Sequence, residues 1–280
     1  MYRILQKEVL TPVAKLYAIE APEIAQKAQA GHFVILRVDE PGERIPLTIA
    51  DYDREKGTVT IVVQEVGKTT KLLGTLEEGD SLASFAGPLG IPTEVENYGT
   101  VLVVGGGLGI APIYPICRSL REEGNTVIGI IGARSGDLLF WEEELSSVTD
   151  ELIVCTDDGS YGREALVTVP MKELMESDRE IDRVWAIGPA IMMKFAALTT
   201  QPYGVKTIVS LNSIMVDGTG MCGSCRVSVG GRTRFACVDG PEFDGHEVDW
   251  DLLLSRQRIY TDMEKIALEQ YEHELANVQT

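Results

Sequence analysis

The chain is 280 residues long, carries a formal net charge of −18 and contains five cysteines. That length predicts two or three units of about 100 residues, and a surface so acidic excludes nucleic acid and anionic membranes as partners on electrostatic grounds. No run of about 18 apolar residues occurs, the N-terminus lacks a signal peptide's apolar core, and the cysteine count is odd, which together predict a cytoplasmic protein held in a reducing compartment.

Over residues 9–98, short alternating runs such as Phe33-Val34-Ile35-Leu36 and Thr58-Val59-Thr60-Ile61-Val62-Val63 recur between turns and predict an antiparallel β barrel spanning residues 1–98. Arg44, Pro46, Leu47 and Thr48 stand at the start of one strand. Gly67, Lys68, Thr69 and Thr70 open a helix, where free N–H groups, a positive dipole end and a lysine suit a phosphate. A simple cap by Thr69 or Thr70 accounts for the same residues. The glycine- and proline-rich stretches at 79–82 and 87–92 are expected to form the turn that closes the barrel.

After residue 98 the period changes. An apolar run over 100–104 leads into Gly105, Gly106, Gly107, Gly109, Ala111 and Pro112, and then helical spacing begins. Strand, glycine turn and helix make a nucleotide cradle, although the G-x-G-x-x-G dinucleotide fingerprint is absent. Further strand and helix units follow to residue 208, predicting an α/β unit with a parallel sheet. Ligands of such sheets bind beyond the carboxyl ends of the strands, so Arg134, Asp157, Asp158, Gly188 and Pro189 are expected to line one crevice with the glycine turn. Arg134 is the candidate for an adenosine ribose or phosphate contact. Cys117 and Cys155 read as buried small hydrophobes, and His32, His246 and His273 receive no role.

The last unit, residues 209–280, holds Asp217, Cys222, Cys225 and Cys237 in the spacing D-x4-C-x2-C-x11-C among several glycines. The plant-type 2Fe-2S spacing is C-x4-C-x2-C with a distant fourth ligand, here with a carboxylate in first place. A structural zinc is the competing occupant, but the four-residue gap favours iron. Asp217 is either a ligand or only a turn residue of an Asp-Gly pair. Residues 238–245 read as a turn segment and residues 250–275 predict one or two amphipathic helices; residues 238–280 carry eleven acids against three basic residues, a solvated or partner-facing acidic surface.

The order of barrel, Gly-Gly-Gly-x-Gly-x-Ala-Pro unit and C-terminal cysteine loop resembles the ferredoxin-NADP reductase superfamily over nearly the whole chain. Within it the chain is similar to the iron-sulfur flavoproteins, which include the electron-transfer subunits of dihydroorotate dehydrogenase. With Asp217 for the first cysteine, it most resembles the small subunits of electron-bifurcating NADH-dependent reduced ferredoxin:NADP oxidoreductases. The resemblance implies FAD at Pro46, Leu47, Thr48, Val63, Gly67, Lys68, Thr69 and Thr70, with Arg44 or Lys68 supplying positive charge to its pyrophosphate. It implies NAD(H) over the crevice residues named above and a 2Fe-2S cluster on Asp217, Cys222, Cys225 and Cys237. In place of the family's R-x-[YF]-[ST], Ile45 occupies the arginine position and Leu47 the aromatic one. NADH delivers a hydride while a 2Fe-2S cluster takes one electron, so a flavin between them is required and no acid or base side chain is expected. A larger iron-sulfur flavoprotein subunit, forming a heterodimer and reaching ferredoxin, is the implied partner. The alternatives are a dihydroorotate dehydrogenase electron-transfer subunit and a zinc-stapled nucleotide-binding scaffold.

Overall fold

The computed structural model describes residues 2–278. Its first part comprises β1 (Tyr2–Thr11), β2 (Ala14–Glu20), the short α1 (Pro22–Ala25), β3 (Phe33–Arg37), β4 (Ile45–Asp53), β5 (Thr58–Gln64), α2 (Lys68–Gly74), β6 (Ser81–Leu82) and β7 (Ser84–Leu89). The strands form a nearly closed antiparallel barrel in the order β6-β1-β2-β5-β4-β3-β7. Alternation at period two sends Tyr17 and Ile19, Val34 and Leu36, and Val59, Ile61 and Val63 into its interior with Leu73 and Phe85. Gly87 and Pro88, expected in a closing turn, lie inside β7. That strand pairs only with β3, and an edge strand tolerates a residue without an N–H donor.

The chain continues through β8 (Thr100–Gly106), α3 (Ile110–Glu122), β9 (Thr126–Ala133), α4 (Glu142–Val148), β10 (Glu151–Thr156), β11 (Arg163–Glu164), α5 (Thr168–Glu176), β12 (Arg183–Ile187), α6 (Ala190–Thr200) and β13 (Thr207–Ser210). These strands pair in parallel in the order β11-β10-β9-β8-β12-β13. The chain leaves β8 toward β9 and returns on its other side with β12, so the order reverses beside β8, where such sheets open a ligand crevice. The hairpin β14 (Arg226–Val229) and β15 (Arg232–Phe235), α7 (Ala236–Asp239), β16 (Glu242–Asp244), α8 (Trp250–Gln257) and α9 (Thr261–Val278) complete the chain. One feature lies beyond the sequence reading: β16 leaves the cysteine-bearing segment and joins the parallel sheet, antiparallel to β13. Among the described residues no helix is long and apolar enough to cross a membrane.

Every boundary between these parts is an apolar core. Ala14, Leu16, Ala50 and Val62, on the outer face of the barrel, pack with Ile110, Ile113, Ile116, Val103 and Trp185. This is why β5 reads as a nearly continuous apolar run: it is buried on both faces. Val227, Val229, Val248, Trp250 and Leu253 pack under the parallel sheet with Val209 and Met193. Phe33 and Ile35 of the barrel pack against Met215, Cys225, Ala236 and Cys237.

At the rim of the barrel–α3 seam, the Arg118 guanidinium lies 2.8 Å from Asp51 Oδ1. It also lies 5.3 Å from the ring centres of both Tyr52 and Tyr114, within cation–π range. Arg54 covers Tyr52 at 5.0 Å, and Tyr114 meets the ring of Trp141 at 5.5 Å. Arg118→Leu removes these contacts and leaves a buried Asp51 oxygen without its cation, so we expect a loss of about 2 kcal/mol. Urea unfolding of the single variant and of Arg118→Leu/Asp51→Leu checks this; the second change should restore part of the loss.

Candidate functional site

The cysteine loop is shaped by glycines at positive φ: Gly218 (78°), Gly220 (81°) and Gly223 (70°). Gly218 also presses on the barrel, since a Cβ there would stand 2.6 Å from Ile35 Cδ1 and 2.9 Å from Leu89 Cδ1. Asp217 folds the loop back on itself. Its Oδ1 accepts from Thr219 N at 2.6 Å and Oδ2 accepts from Cys222 N at 3.2 Å. The Thr219 N–H, first among these groups, holds the carboxyl below the usual carboxylate range. Arg226 and Arg256 pin the loop from outside by donating to the carbonyls of Gly223 and Ser224, each at 3.1 Å.

The four sequence-predicted ligands fall into two pairs. Asp217 sits with Cys222, and the buried Cys225 and Cys237 sulfurs stand 3.1 Å apart without a disulfide bond. Their chemistry differs. Cys222 is exposed, and the Ser224 N–H lowers its thiol pKa, whereas burial and then the neighbouring Cys225 push Cys237 up to about 12. Two buried thiols in contact keep their protons unless a cation neutralises the thiolates, a charge that iron would supply. Among the described residues no three Cys, His, Asp or Glu side chains surround a single point as one ion requires. A binuclear cluster asks for something else, two ligands on each iron. The paired arrangement fits it.

On the barrel, Pro46, Leu47 and Thr48 occupy β4 opposite Ile35, Val34 and Phe33, and Val63 lies buried in β5. Thr70 acts locally: its Oγ1 accepts from Val66 N and Gly67 N, both at 3.0 Å, capping α2. Thr69 Oγ1 donates to Glu43 Oε2 at 2.7 Å, bringing the loop that carries Arg44 to the first turn of α2. Arg44 and Lys68 are exposed there, two cations at a helix start. The donor set suits a pyrophosphate.

In the parallel sheet the glycines divide their work. A Cβ on Gly109 would fall 2.1 Å from the Ile187 carbonyl oxygen, so this glycine lets the turn after β8 pack on the end of β12. Gly107, at φ 55°, faces open space, as a backbone approached by a ligand must. Gly105 packs under Ile113 and Ile110 at the start of α3, where Ala111 and Pro112 are buried. Arg134, Asp157 and Asp158 are exposed beyond β9 and β10, with Asp157 N donating to Ala133 O and Asp158 N to Arg134 O. The Ser160 hydroxyl and N–H hold the Asp158 carboxyl below its usual range. Gly188 and Pro189 lead into α6, whose Met192 lies over both Gly106 and Gly188, a Cβ on either being within 2.9 Å of its sulfur. Sequence reasoning missed Met192, because a methionine in a helical pattern signals only core. Cys117 and Cys155 are fully buried, and burial raises both thiol pKa values.

A flavin-type barrel, a nucleotide-type parallel sheet and a cysteine loop seated between them define an iron-sulfur flavoprotein reductase. Residues 212–249 match the iron-sulfur cluster binding domain of dihydroorotate dehydrogenase B. The chain is 52% identical over 253 residues to the dihydroorotate dehydrogenase B (NAD(+)), electron transfer subunit homolog of Thermotoga maritima, covering 90% of this chain and 89% of that one. It is 34% identical to the dihydroorotate dehydrogenase B (NAD(+)), electron transfer subunit of Bacillus caldolyticus, covering 81% and 88%. A solved structure from work on flavin-based electron bifurcation by the NADH-dependent reduced ferredoxin-NADP oxidoreductase superposes with a TM-score of 0.93 and 48% identity, covering 97% of this chain and 98% of that one. The chain therefore belongs to the family of dihydroorotate dehydrogenase B electron-transfer subunits and their homologues.

The two glycine roles separate by substitution. Gly109→Ala drives a methyl into a carbonyl and should cost about 3 kcal/mol. Gly107→Ala meets no atom and bears only the left-handed strain of about 1–2 kcal/mol. Chemical unfolding of the two variants checks the order.

Proposed function

We propose that the chain is the small subunit of an NADH-dependent reduced ferredoxin:NADP oxidoreductase, working in the cytoplasm. It passes electrons between NAD(H), FAD and a 2Fe-2S cluster to a larger iron-sulfur flavoprotein subunit, through which it reaches ferredoxin. The observation that carries this is the end-to-end similarity, at 48% identity, to a structure from the study of that oxidoreductase. Asp217 in first ligand position supports it. A second reading, an electron-transfer subunit serving a dihydroorotate-oxidising chain, is favoured by the names of the sequence relatives.

Bound together, the three groups supply hydride acceptance and its division into single electrons. The chain's own residues bind and orient. We assign the flavin to Pro46, Leu47, Thr48 and Val63, with Gly67, Lys68, Thr69, Thr70 and Arg44 around its pyrophosphate. We assign the nicotinamide nucleotide to Gly105, Gly106, Gly107, Gly109, Ala111, Pro112, Arg134, Asp157, Asp158, Gly188 and Pro189. Asp217, Cys222, Cys225 and Cys237 hold the cluster, against which Phe33 and Ile35 exclude water on the barrel side. In domain terms we assign residues 1–98, 99–208 and 209–280 to flavin, nucleotide and cluster.

Asp217→Asn tests the carboxylate ligand, because asparagine keeps an oxygen acceptor for the Thr219 N–H but loses the charge and the second acceptor used by the Cys222 N–H. We expect iron affinity to fall by about 10-fold or more, the range seen when even the supports of metal ligands are removed. Full iron content with an unchanged visible spectrum would reduce Asp217 to a loop cap. For the function, the chain is purified with its partner and assayed for NADH-dependent ferredoxin and NADP turnover and for dihydroorotate oxidation. Activity in the second assay alone would transfer the assignment to the second reading.

A further inference from the structure

Glu242 stands where all three parts meet, and none of the roles above uses it. It lies on β16, and its Oε1 is 2.6 Å from the Thr93 hydroxyl in the segment leaving the barrel. Its Oε2 accepts from Trp185 Nε1, on β12, at 3.3 Å. The barrel closes the third side: a Cβ on Gly31 would come within 3.0 Å of Oε1 and 2.5 Å of Thr93 Oγ1. The backbone around it is tied to the same neighbours, with Ile91 N donating to Gly240 O at 2.6 Å and Leu211 N to Pro241 O at 2.9 Å. The next residue, Phe243, packs on the core that holds Cys225 and Cys237 against Phe33 and Ile35. Phe33 in turn pairs with Thr48 of the β4 strand.

The charged and titratable groups on the surrounding elements leave this carboxyl alone. His32 on the barrel accepts from Gln29 N, and burial lowers its pKa, which favours the neutral ring. Arg183 is paired with Glu94 at 2.9 Å over the Tyr98 ring. Asp244, on the same strand, accepts from His246 N. Among the described residues no cation offsets a charge on Glu242. Burial pushes its carboxyl up to about 7, only partly opposed by the Thr93 and Trp185 hydrogen bonds.

We propose that Glu242 is a proton-bearing positioning residue: protonated, it joins Thr93 and Trp185 to the cluster-bearing segment and seats the cysteine loop on the barrel, and its ionisation, although it strengthens both hydrogen bonds, leaves an uncompensated charge in the junction that favours opening to water. The inference rests on the electron-transfer reading only for what the junction positions, and its test needs no turnover. A carboxyl raised in the folded state stabilises the fold fully below the unfolded value, and that contribution is lost as pH rises through about 7.

The test follows the indole N–H signals of Trp141, Trp185 and Trp250 by NMR in the cofactor-loaded protein, with Trp185→Phe assigning the middle one. We expect the Trp185 signal to titrate with a midpoint near 7. Hydrogen exchange at Ile91 and Leu211 should rise about 10-fold above that midpoint as the junction opens locally. Glu242→Gln, a neutral isostere of the protonated acid, should abolish the titration and keep exchange slow at every pH. Thr93→Val, which removes a hydrogen bond that favours the charged form, should move the midpoint upward. A Trp185 signal that does not titrate in the wild type, one that still titrates in Glu242→Gln, or a midpoint unmoved by Thr93→Val would overturn the proposal. Loss of cluster or of activity in the same samples would bear on the electron-transfer reading alone.

Discussion

The outer face of the barrel cannot be left in water, and most of the architecture answers that constraint. Ala14, Leu16, Ala50 and Val62 face away from the barrel interior and are nonetheless buried, because α3 and its neighbouring strands cover them. At about 25 cal/mol per Å² of apolar surface, a seam of this kind outweighs the Arg118–Asp51 pair at its rim, which sets register more than strength. The seam also fixes chemistry in space. β4 carries the residues proposed for the flavin, α3 begins at the glycine turn, and the two elements lie against one another across this core. The two proposed binding sites, on separate sheets, thereby gain a constant relationship without an assigned residue shared between them.

Where the sequence was legible, a local rule had a local consequence. The change of period after residue 98, with an apolar run leading into glycines and then helical spacing, marked the glycine turn, and the D-x4-C-x2-C-x11-C spacing marked the cysteine loop, because both motifs are built from neighbours in the chain. The illegible parts depend on partners far apart. Arg118 and Asp51 are joined only by the packing of two sheets. β16 reads as a turn segment, since three residues between glycines and acids carry no strand period, and its pairing partner lies in another unit. Glu242 looks like one more acid in an acidic tail, and only the arrival of Thr93 and Trp185 removes it from water. The glycines show a middle case. Their positions were evident, but the division between Gly109, filled by the Ile187 carbonyl, and Gly107, facing open space, required coordinates.

The cysteine loop combines an exposed thiol of lowered pKa with a buried pair of raised pKa, and that asymmetry follows from where each residue sits. Cys222 takes part in a web of N–H groups at the surface, while Cys225 and Cys237 lie in the apolar layer shared with the barrel. Such a site is polar toward the outside and dry toward Phe33 and Ile35. An electron carrier needs both faces, one insulated and continuous with the protein's own cofactor path and one open to another molecule.

The strand contributed by β16 bears on how the protein is made. Residues 242–244 complete the edge of a sheet whose first strand begins at Thr100, so this sheet cannot be finished while the chain is still emerging from the ribosome at any earlier point. Until then β13 offers an unpaired edge, and the apolar surface awaiting Val227, Val248 and Trp250 stays open. The strand that completes the middle unit and the cysteine loop are therefore close neighbours in the chain, Cys237 lying five residues before Glu242. A chain that stopped at the end of β13 would be an aggregation-prone fragment rather than a smaller reductase.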